Sequence, residues 1–287
     1  MGRIAFVTDS TAGVPKDQVA RYNFTIVPLQ VVFGTETFRD GVDLTQDQFY
    51  ERLKSAKNLP TTSQPSVGEF ETAYQRLLDD PEVDSVISVH LAARLPSGTY
   101  SNAVQAAERL TQNSGKKITV IDSNTVWMGE AMMCINGARA AAQGKGHDEI
   151  VKMIEDTRSH VKILVLVDTL EYLQKGGRIG GAQAFLGGLL NVKPILHVEN
   201  GRVEPLERVR TRRKAMERLV ELGYEATKGK PCQVAVGHFQ AEADARSLAD
   251  MVRGRLNVKE EFFGELGPVI STHTGPGVLG FVYNTLE

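Results

Sequence analysis

Short apolar runs alternate with helical patterns through the first half of the chain, and this alternation limits the possible folds more than any other feature. Each run has the length of a buried strand, and most are followed by apolar residues at helical spacing. The runs are residues 4–7, 26–33, 86–89 and 118–121. Strands that alternate with helices predict a mostly parallel sheet with right-handed crossovers.

Polar residues follow three of these runs. In a parallel sheet, ligands bind beyond the carboxyl ends of the strands. We therefore expect a ligand-binding edge that is formed by Thr8-Asp9-Ser10, the loop before Ser97, and Asp122-Ser123.

The second half of the chain has a different pattern. Asn200-Gly201 lies between two strand-like runs, which is the strongest short signal for a hairpin. Helical patterns separate further apolar runs, among them residues 269–272 and 278–283, both interpreted as strands. The predicted fold class is α/β with two domains: a Rossmann-like, mostly parallel sheet in residues 1–160, and an α/β domain with a mixed sheet in residues 161–287.

Composition limits the classes of function. A content of 41% hydrophobic and 24% charged residues is typical of a soluble globular protein, and a net charge of −2 gives no electrostatic footprint for nucleic acid. Cys134 and Cys232 lack CxxC spacing, which argues against a disulfide framework or a zinc site. The N-terminal residues become polar too soon for a signal peptide, so we expect a cytoplasmic protein.

The stretch TTSQPSVGEF at residues 61–70 places several hydroxyl groups next to a predicted helix start. Ser66 and Glu69 fit a capping box, and Pro65 keeps the preceding residues extended. Thr62 and Ser63 are then expected beside free helix N–H groups, where an anion is favoured. The alternative is that these polar residues only form a tight loop and a cap.

Motifs of nucleotide-dependent enzymes receive little support. Residues 275–280 match G-x-G-x-x-G, but only seven residues follow, which leaves no room for the later acidic residue of a dinucleotide site. His273 directly precedes this glycine-rich loop and follows the run at residues 269–272. One alternative function is a serine-dependent esterase or hydrolase acting on a lipid, with Ser97 or Ser63 as nucleophile and His273 as base. No nucleophile elbow or orienting carboxylate is evident for it.

Basic residues have both structural and functional interpretations. Arg178 follows Gly176-Gly177 and suits recognition of a carboxylate or phosphate, or is a surface loop residue. Arg210 and Arg212 belong to a basic run that is either a solvated face or a docking patch for an acidic partner.

Six sequence blocks together resemble the DegV family. The blocks occur in family order over both predicted domains: TDST at 8–11, TSQPS at 62–66, SGTY at 97–100, DTLEYLQKGGRIG at 168–180, LLNVKPIL at 189–196 and HTGPG at 273–277. The resemblance implies a DegV-like two-domain fold with a fatty acid buried in an apolar tunnel at the domain junction.

The resemblance also implies a binding function without catalysis. Members of the family act as the binding subunit of a bacterial fatty acid kinase and present the acyl carboxylate to a separate ATP-dependent kinase. The product is acyl phosphate for phospholipid synthesis. The implied partners are a long-chain fatty acid and the kinase catalytic protein, with an acyltransferase or a membrane surface as transient partners. No cofactor besides the bound fatty acid is implied, and a carrier of another small anionic lipid is a further alternative.

Matching the family motifs position by position gives the implied site residues. The carboxylate contacts are Thr62, Ser63, Ser97, His273 and Gly275. Arg178 matches an arginine that favours the phosphorylated product, and Arg210 and Arg212 match part of the kinase-docking surface. The apolar segment 182–192 is expected to line the tunnel through Phe185, Leu186, Leu189 and Leu190.

Two departures from the family pattern concern the ligand. Pro96 precedes SGTY within a long approach, so the loop that carries Ser97 is expected to differ in shape. Trp127 and Glu130 occur where the family commonly has a small, Gly-rich helix start, and this leaves the preferred chain length open.

Overall fold

The computed structural model describes residues 2–188 and 192–286. The strands are β1 Arg3–Asp9, β2 Thr25–Val27, β3 Gln30–Phe33, β4 Glu36–Arg39, β5 Thr61–Ser63, β6 Val83–His90, β7 Lys117–Asp122, β8 Val161–Leu166, β9 Lys193–Glu199, β10 Arg202–Val209, β11 Cys232–His238, β12 Val258–Glu265 and β13 Leu279–Thr285. The α-helices are α1 Lys16–Tyr22, α2 Gln46–Ser55, α3 Val67–Leu78, α4 Thr99–Ser114, α5 Met128–Ala142, α6 His147–His160, α7 Glu171–Lys175, α8 Arg212–Thr227, α9 Glu242–Arg255 and α10 Pro268–Thr274. Shorter 3-10 helices lie at Ser10–Ala12 and Gly180–Gly188.

The first half contains the predicted parallel sheet, which is therefore confirmed. Its four strands lie in the order β2-β1-β6-β7 and all pair in parallel. Thr8 pairs with Val89 and His90 pairs with Asp122, so the carboxyl ends of β1, β6 and β7 share one edge. The Asp9 carboxylate accepts a 3.1 Å hydrogen bond from the Leu91 backbone N–H at that edge.

Residues 26–33 do not form the single strand that we predicted. Pro28 has no N–H to donate to a ladder, and the chain divides there into β2 and β3. β2 stays in the parallel sheet, whereas β3 enters a small antiparallel sheet in the order β4-β3-β5. Val31 of β3 pairs with Thr62 of β5, so this small sheet holds the Thr62 stretch.

The second half forms the predicted mixed sheet, with six strands in the order β10-β9-β8-β13-β11-β12. β11 and β12 pair in parallel, and the other neighbours are antiparallel. The hairpin at Asn200-Gly201 is confirmed. Both residues have positive φ, 50° and 72°, as a tight two-residue turn between twisted strands requires.

Residues 269–272 are helical, and the prediction of a strand there was wrong. They belong to α10, where Pro268 occupies the first turn after Gly267. A four-residue apolar run cannot distinguish a buried strand from a buried helical turn, and proline is favoured at the first helical position. His273 therefore projects from the last turn of a short helix.

A continuous core connects the two large sheets. Within the described residues, a single hydrophobic cluster contains Ile87 of β6, Ile163 of β8 and Val282 of β13, together with Met132 of α5. Helices α8 and α9 cover the opposite face of the mixed sheet. Because the core crosses residue 160, the division into domains 1–160 and 161–287 stays a prediction.

Candidate functional site

Six polar side chains line one cavity of about 100 Å³, and four of them are residues that the sequence nominated for the ligand site. Thr62 comes from β5, Ser97 from the loop before α4, Arg178 from the segment after α7, and His273 from α10. We call this the head cavity. The structure thus brings together four of the residues that the sequence nominated.

His273 and Thr62 form the central contact of the head cavity. The Thr62 hydroxyl and His273 Nε2 are 2.8 Å apart, and Nδ1 is buried with no hydrogen-bond partner among the described residues. Burial, together with the charge of Arg178, lowers the pKa of His273 to about 4, so the imidazole is neutral near pH 7. Gly176 makes room for the ring, because a Cβ there would lie 2.3 Å from Nδ1.

Ser97 lies at the start of α4, beside the free N–H groups of that helix. Its hydroxyl is 2.9 Å from Thr99 Oγ1 and accepts a 3.3 Å hydrogen bond from the Thr99 N–H. Gly98 occupies the N-cap position and provides no side-chain cap. Ser97 therefore brings a hydroxyl group to the head cavity from a position directly before the α4 N-terminus.

Arg178 connects two walls of the head cavity. Its guanidinium donates to the Gly176 carbonyl at 2.7 Å and to the Pro96 carbonyl at 2.9 Å. Burial lowers the pKa of Arg178 from its usual value, but a guanidinium remains charged at neutral pH. The contact with Pro96 also holds the long loop before Ser97 in place.

Ser63 and Gly275 lie near the head cavity but do not line it. Thr62 and Ser63 point to opposite faces of β5, and the Ser63 hydroxyl donates to Gln30 Oε1 at 3.2 Å. The Gly275 N–H donates to the Ser271 carbonyl at 2.9 Å and ends α10 with a φ of 73°. Both groups already have partners, so their role as carboxylate contacts stays a prediction.

A second cavity of about 70 Å³ continues from the head cavity and exposes only apolar atoms in its wall. We call it the tail cavity. The two cavities share lining residues, namely Leu95, Val126, Leu173, Val203, Ile270 and Thr274. The tail cavity then follows one face of β8 and β9 over Ile163, Val165, Leu196 and Val198, and reaches Trp127 and Gly280.

The sequence analysis missed the residues shared by the two cavities. Ile270 and His273 are three residues apart, so they lie on one helix face once α10 is known to be a helix. The incorrect strand at residues 269–272 hid this relationship. The alternation of Ile163 and Val165 on β8 was the other available signal.

Phe185 and Leu186, predicted to line the tunnel, line neither cavity. They lie on the 3-10 helix Gly180–Gly188, partly buried against the main core. The Arg208 guanidinium stacks 4.4 Å from the centroid of the Phe185 ring. Leu189 and Leu190 lie outside the described residues.

Arg210 and Arg212 differ in their surroundings. Arg210 is exposed, as a docking residue should be. Arg212 is partly buried and forms ion pairs with Asp244 and, at 3.1 Å, with Asp168. These ion pairs already explain why Arg212 is present, and a docking role for both residues stays a prediction.

A Ser-His-Asp array exists elsewhere in the chain, but it is completely buried. His90 Nε2 is 2.7 Å from Ser88 Oγ, and His90 Nδ1 is 3.1 Å from Asp9 Oδ2. All three side chains have zero exposure, so no substrate reaches them. The array stabilises the strand ends.

Asp9, His90 and Glu130 also have ligand atoms within 4.8 Å of one another, a spacing that a metal ion could bridge. The Asp9 carboxylate, however, already accepts hydrogen bonds from Thr11 as well as from His90 and Leu91. Burial raises the pKa of Asp9, but the hydrogen bonds and the charge of His90 outweigh it and hold that pKa below its usual value. Burial, aided by the charge of Asp9, raises the pKa of Glu130 well above normal. The raised pKa favours the neutral form of Glu130, which lessens the negative charge beside Asp9.

Within the described part of the chain, no helix combines the length and hydropathy needed to cross a membrane.

Comparisons with known proteins point to one family. A family model described as "Uncharacterised protein, DegV family" matches residues 3–286. Protein DegV of Bacillus subtilis is 39% identical over 282 residues, which cover 98% of each chain. A DegV domain-containing protein of Streptomyces coelicolor is 38% identical over 283 residues, again with 98% coverage of both.

Solved structures agree with this assignment. A DegV family protein from Thermus thermophilus, described for its fatty acid binding, superposes with a TM-score of 0.93 at 35% identity and covers 99% of this chain and 100% of its own. DegV from Bacillus subtilis, described as a fatty acid binding protein, has a TM-score of 0.88 at 37% identity with full coverage of both chains. The family model, the relatives and the shared fold together show that this chain belongs to the DegV family.

Proposed function

We propose that this protein binds one long-chain fatty acid, with the carboxylate in the head cavity and the acyl chain in the tail cavity. The observation that carries the proposal is the connection between the cavities. A polar end with Thr62, Ser97, Arg178 and His273 continues into a wholly apolar end through shared lining residues. A molecule with a single anionic group and a long apolar tail matches that division.

The energetics favour such a ligand. Burial of each CH₂ contributes about 0.8 kcal/mol, so every carbon of the tail that enters the apolar cavity adds that amount before the costs of ordering. The head group then needs few contacts, and the neutral hydroxyls and imidazole provide them beside one guanidinium. Related proteins from Thermus thermophilus and Bacillus subtilis are described as binding fatty acids, which supports the same ligand here.

Lipid extraction tests this proposal. Protein purified from a bacterial host and extracted with organic solvent is expected to release a long-chain fatty acid in a nearly equimolar amount, identified by mass spectrometry. A purified protein that contains no lipid and also does not bind added oleate or palmitate contradicts the proposal. A different anionic lipid in the extract would instead support the alternative function, a carrier of that lipid.

We further propose that the bound carboxylate is presented to a separate ATP-dependent kinase, which converts it to acyl phosphate for phospholipid synthesis. Thr62, Ser97 and Arg178 are partly exposed, so the head group borders solvent where a partner can reach it. In this proposal Arg178, whose guanidinium lines the head cavity, contacts the added phosphate, and the exposed Arg210 is a candidate for docking. The site itself then binds and orients, and the phosphoryl transfer belongs to the partner.

A reconstituted reaction tests the kinase step. The fatty-acid-loaded protein, a bacterial fatty acid kinase catalytic protein and ATP are expected to yield acyl phosphate, trapped with hydroxylamine as the hydroxamate. Omission of either protein should abolish the product. If a kinase that is active with another binding protein yields no hydroxamate with this one, the kinase part of the proposal is contradicted and the fatty acid part is not.

The hydrolase alternative receives no support from the site. The Ser97 hydroxyl is hydrogen-bonded to Thr99, and the Ser63 hydroxyl to Gln30. His273 Nε2 is hydrogen-bonded to the Thr62 hydroxyl and not to a serine. His273 Nδ1 also has no orienting carboxylate among the described residues. Nucleophile, base and orienting group are therefore not assembled.

A further inference from the structure

Trp127 lies at the β13 end of the tail cavity, whereas Val203 of β10, three strands away in the mixed sheet, also lines the head cavity. It lines the cavity together with Gly280 and Leu266, and it is 2% exposed. Trp127 is the one tryptophan of the chain. Its position raises the question of what this large ring does to the tail.

The indole ring packs against the backbone of the mixed sheet, where glycines leave room for it. Gly237 of β11 and Gly280 of β13 are direct cross-strand partners. A Cβ on Gly237 would lie 2.2 Å from Trp127 Cη2, and one on Gly280 would lie 3.3 Å from Cζ3. A Cβ on Gly13 would lie 2.9 Å from Cδ1. Because the ring already contacts backbone on that side, it cannot move deeper into the sheet to admit a longer ligand.

The backbone of Trp127 is also fixed. Trp127 is the N-cap residue of α5, with φ 56° and ψ −138°, a conformation that residues with a Cβ rarely adopt. Its carbonyl accepts the Ala131 N–H at 3.0 Å, and α5 is buried along most of its length. The surrounding core therefore holds the ring as a rigid wall.

We propose that Trp127 is the specificity-determining residue that sets the longest acyl chain the protein accepts. The inference rests on the proposed function, because it requires a fatty acid tail in this cavity. Each methylene buried before the ring raises affinity about fourfold. A chain that reaches the ring gains nothing further, since additional carbons must displace the indole or stay outside.

Affinities for a series of fatty acids test the inference. Lipid-free full-length protein is titrated with even-numbered saturated acids from lauric to arachidic acid. The wild-type affinity is expected to rise with length, reach a maximum and then fall. Trp127→Leu removes most of the wall and should move the maximum at least one step toward longer acids, with about a fourfold gain per added methylene that enters the vacated space.

A second variant changes the length in the opposite direction without removing the ring. Gly280→Ala adds a methyl group 3.3 Å from the indole and within the wall of the same cavity. The maximum should move at least one step toward shorter acids. If Trp127→Leu does not fold, Gly280→Ala carries the test. Leu248→Ala is the matched control, because Leu248 is fully buried on the other face of the mixed sheet and lines neither cavity.

The outcomes separate the two proposals. Wild-type binding with an unchanged maximum in both cavity variants overturns the role of Trp127 and leaves the fatty acid function intact. An equal shift in Leu248→Ala also overturns it, because loosened packing would then explain the change. A wild-type protein that binds no acid in the series contradicts the proposed function and the inference together.

Discussion

The hydroxyl groups of Thr62 and Ser97 are the neutral donors available to a carboxylate in the head cavity. We predict that Thr62→Val and Ser97→Ala each weaken fatty acid binding by about 1.5–3 kcal/mol, or roughly 10- to 150-fold, because each removes one hydrogen bond to a charged group. Calorimetric dissociation constants measure the effect. Thr72→Val is the matched control and should bind normally, since Thr72 is exposed on α3, its hydroxyl donates to the Gly68 carbonyl, and it lines neither cavity. Unchanged affinity in both site variants would contradict the head-group assignment.

The depressed pKa of His273 makes stability depend on pH. Between pH 6.5 and about 4 the unfolded chain binds a proton at this residue and the folded chain does not. The free energy of unfolding of the lipid-free protein should therefore fall on acidification through this window, by about 2–3 kcal/mol from His273 alone.

Comparison with His273→Gln isolates this contribution from other titrating groups. Urea unfolding at pH 7.5 and at pH 4.5 should show a smaller acid loss in the variant than in the wild type. Parallel losses in the two proteins would mean that His273 is not held neutral in the folded state.

At the scale of elements, the capping box of α3 fixes the chain directly after β5, the strand that carries Thr62. The Ser66 backbone N–H donates to Glu69 Oε2 at 2.7 Å, and the Glu69 N–H donates to Ser66 Oγ at 3.2 Å. Ser66→Ala should lower the free energy of unfolding by about 1 kcal/mol in urea titrations.

Ser55→Ala provides the control for this change. Ser55 ends α2 and its hydroxyl donates to helix carbonyls, so alanine should be neutral or slightly stabilising there. Equal losses in the two variants would show that the cap of α3 contributes nothing specific.

The sequence predicted elements well where the signal is local and less well where it is not. The capping box of α3 and the turn at Asn200-Gly201 depend on residues at most three apart, and both are confirmed. The prediction of a strand at residues 269–272 was wrong because their apolar pattern fits either a strand or a helical turn. The prediction of a single strand at residues 26–33 was wrong because the chain pairs with different sheets before and after Pro28, which a local pattern does not reveal.

At the scale of the whole molecule, the two halves share one core and several polar contacts. Arg139 of α5 forms an ion pair with Glu260 of β12, and Asn136 donates to Gln233 of β11 at 2.8 Å. We therefore predict that the full chain unfolds in a single cooperative transition.

Two probes of urea unfolding test that cooperativity. Fluorescence of the sole tryptophan, Trp127, reports the tail cavity, and far-UV circular dichroism reports the whole chain. The two curves should coincide. Separate midpoints would instead support independent domains at residues 1–160 and 161–287.

The site illustrates how far sequence reasoning extends at this scale. Thr62, Ser97, Arg178 and His273 could be nominated because they belong to recognisable motifs, and the fold places them around one cavity. The wall of the tail cavity could not be predicted in this way. Its residues, such as Leu173 and Ile270, are ordinary apolar residues that only the packing of α7 and α10 against the mixed sheet selects.

Titration of the lipid-free protein with oleate and with methyl oleate tests the central claim most directly. We predict that oleate binds once per chain and that the ester, which has the same tail and no anionic head, binds at least about tenfold more weakly, because hydrogen bonds to a charged group contribute about 1.5–3 kcal/mol. Equal affinity for both ligands, or binding of neither, would contradict the claim that the head and tail cavities form one fatty acid site.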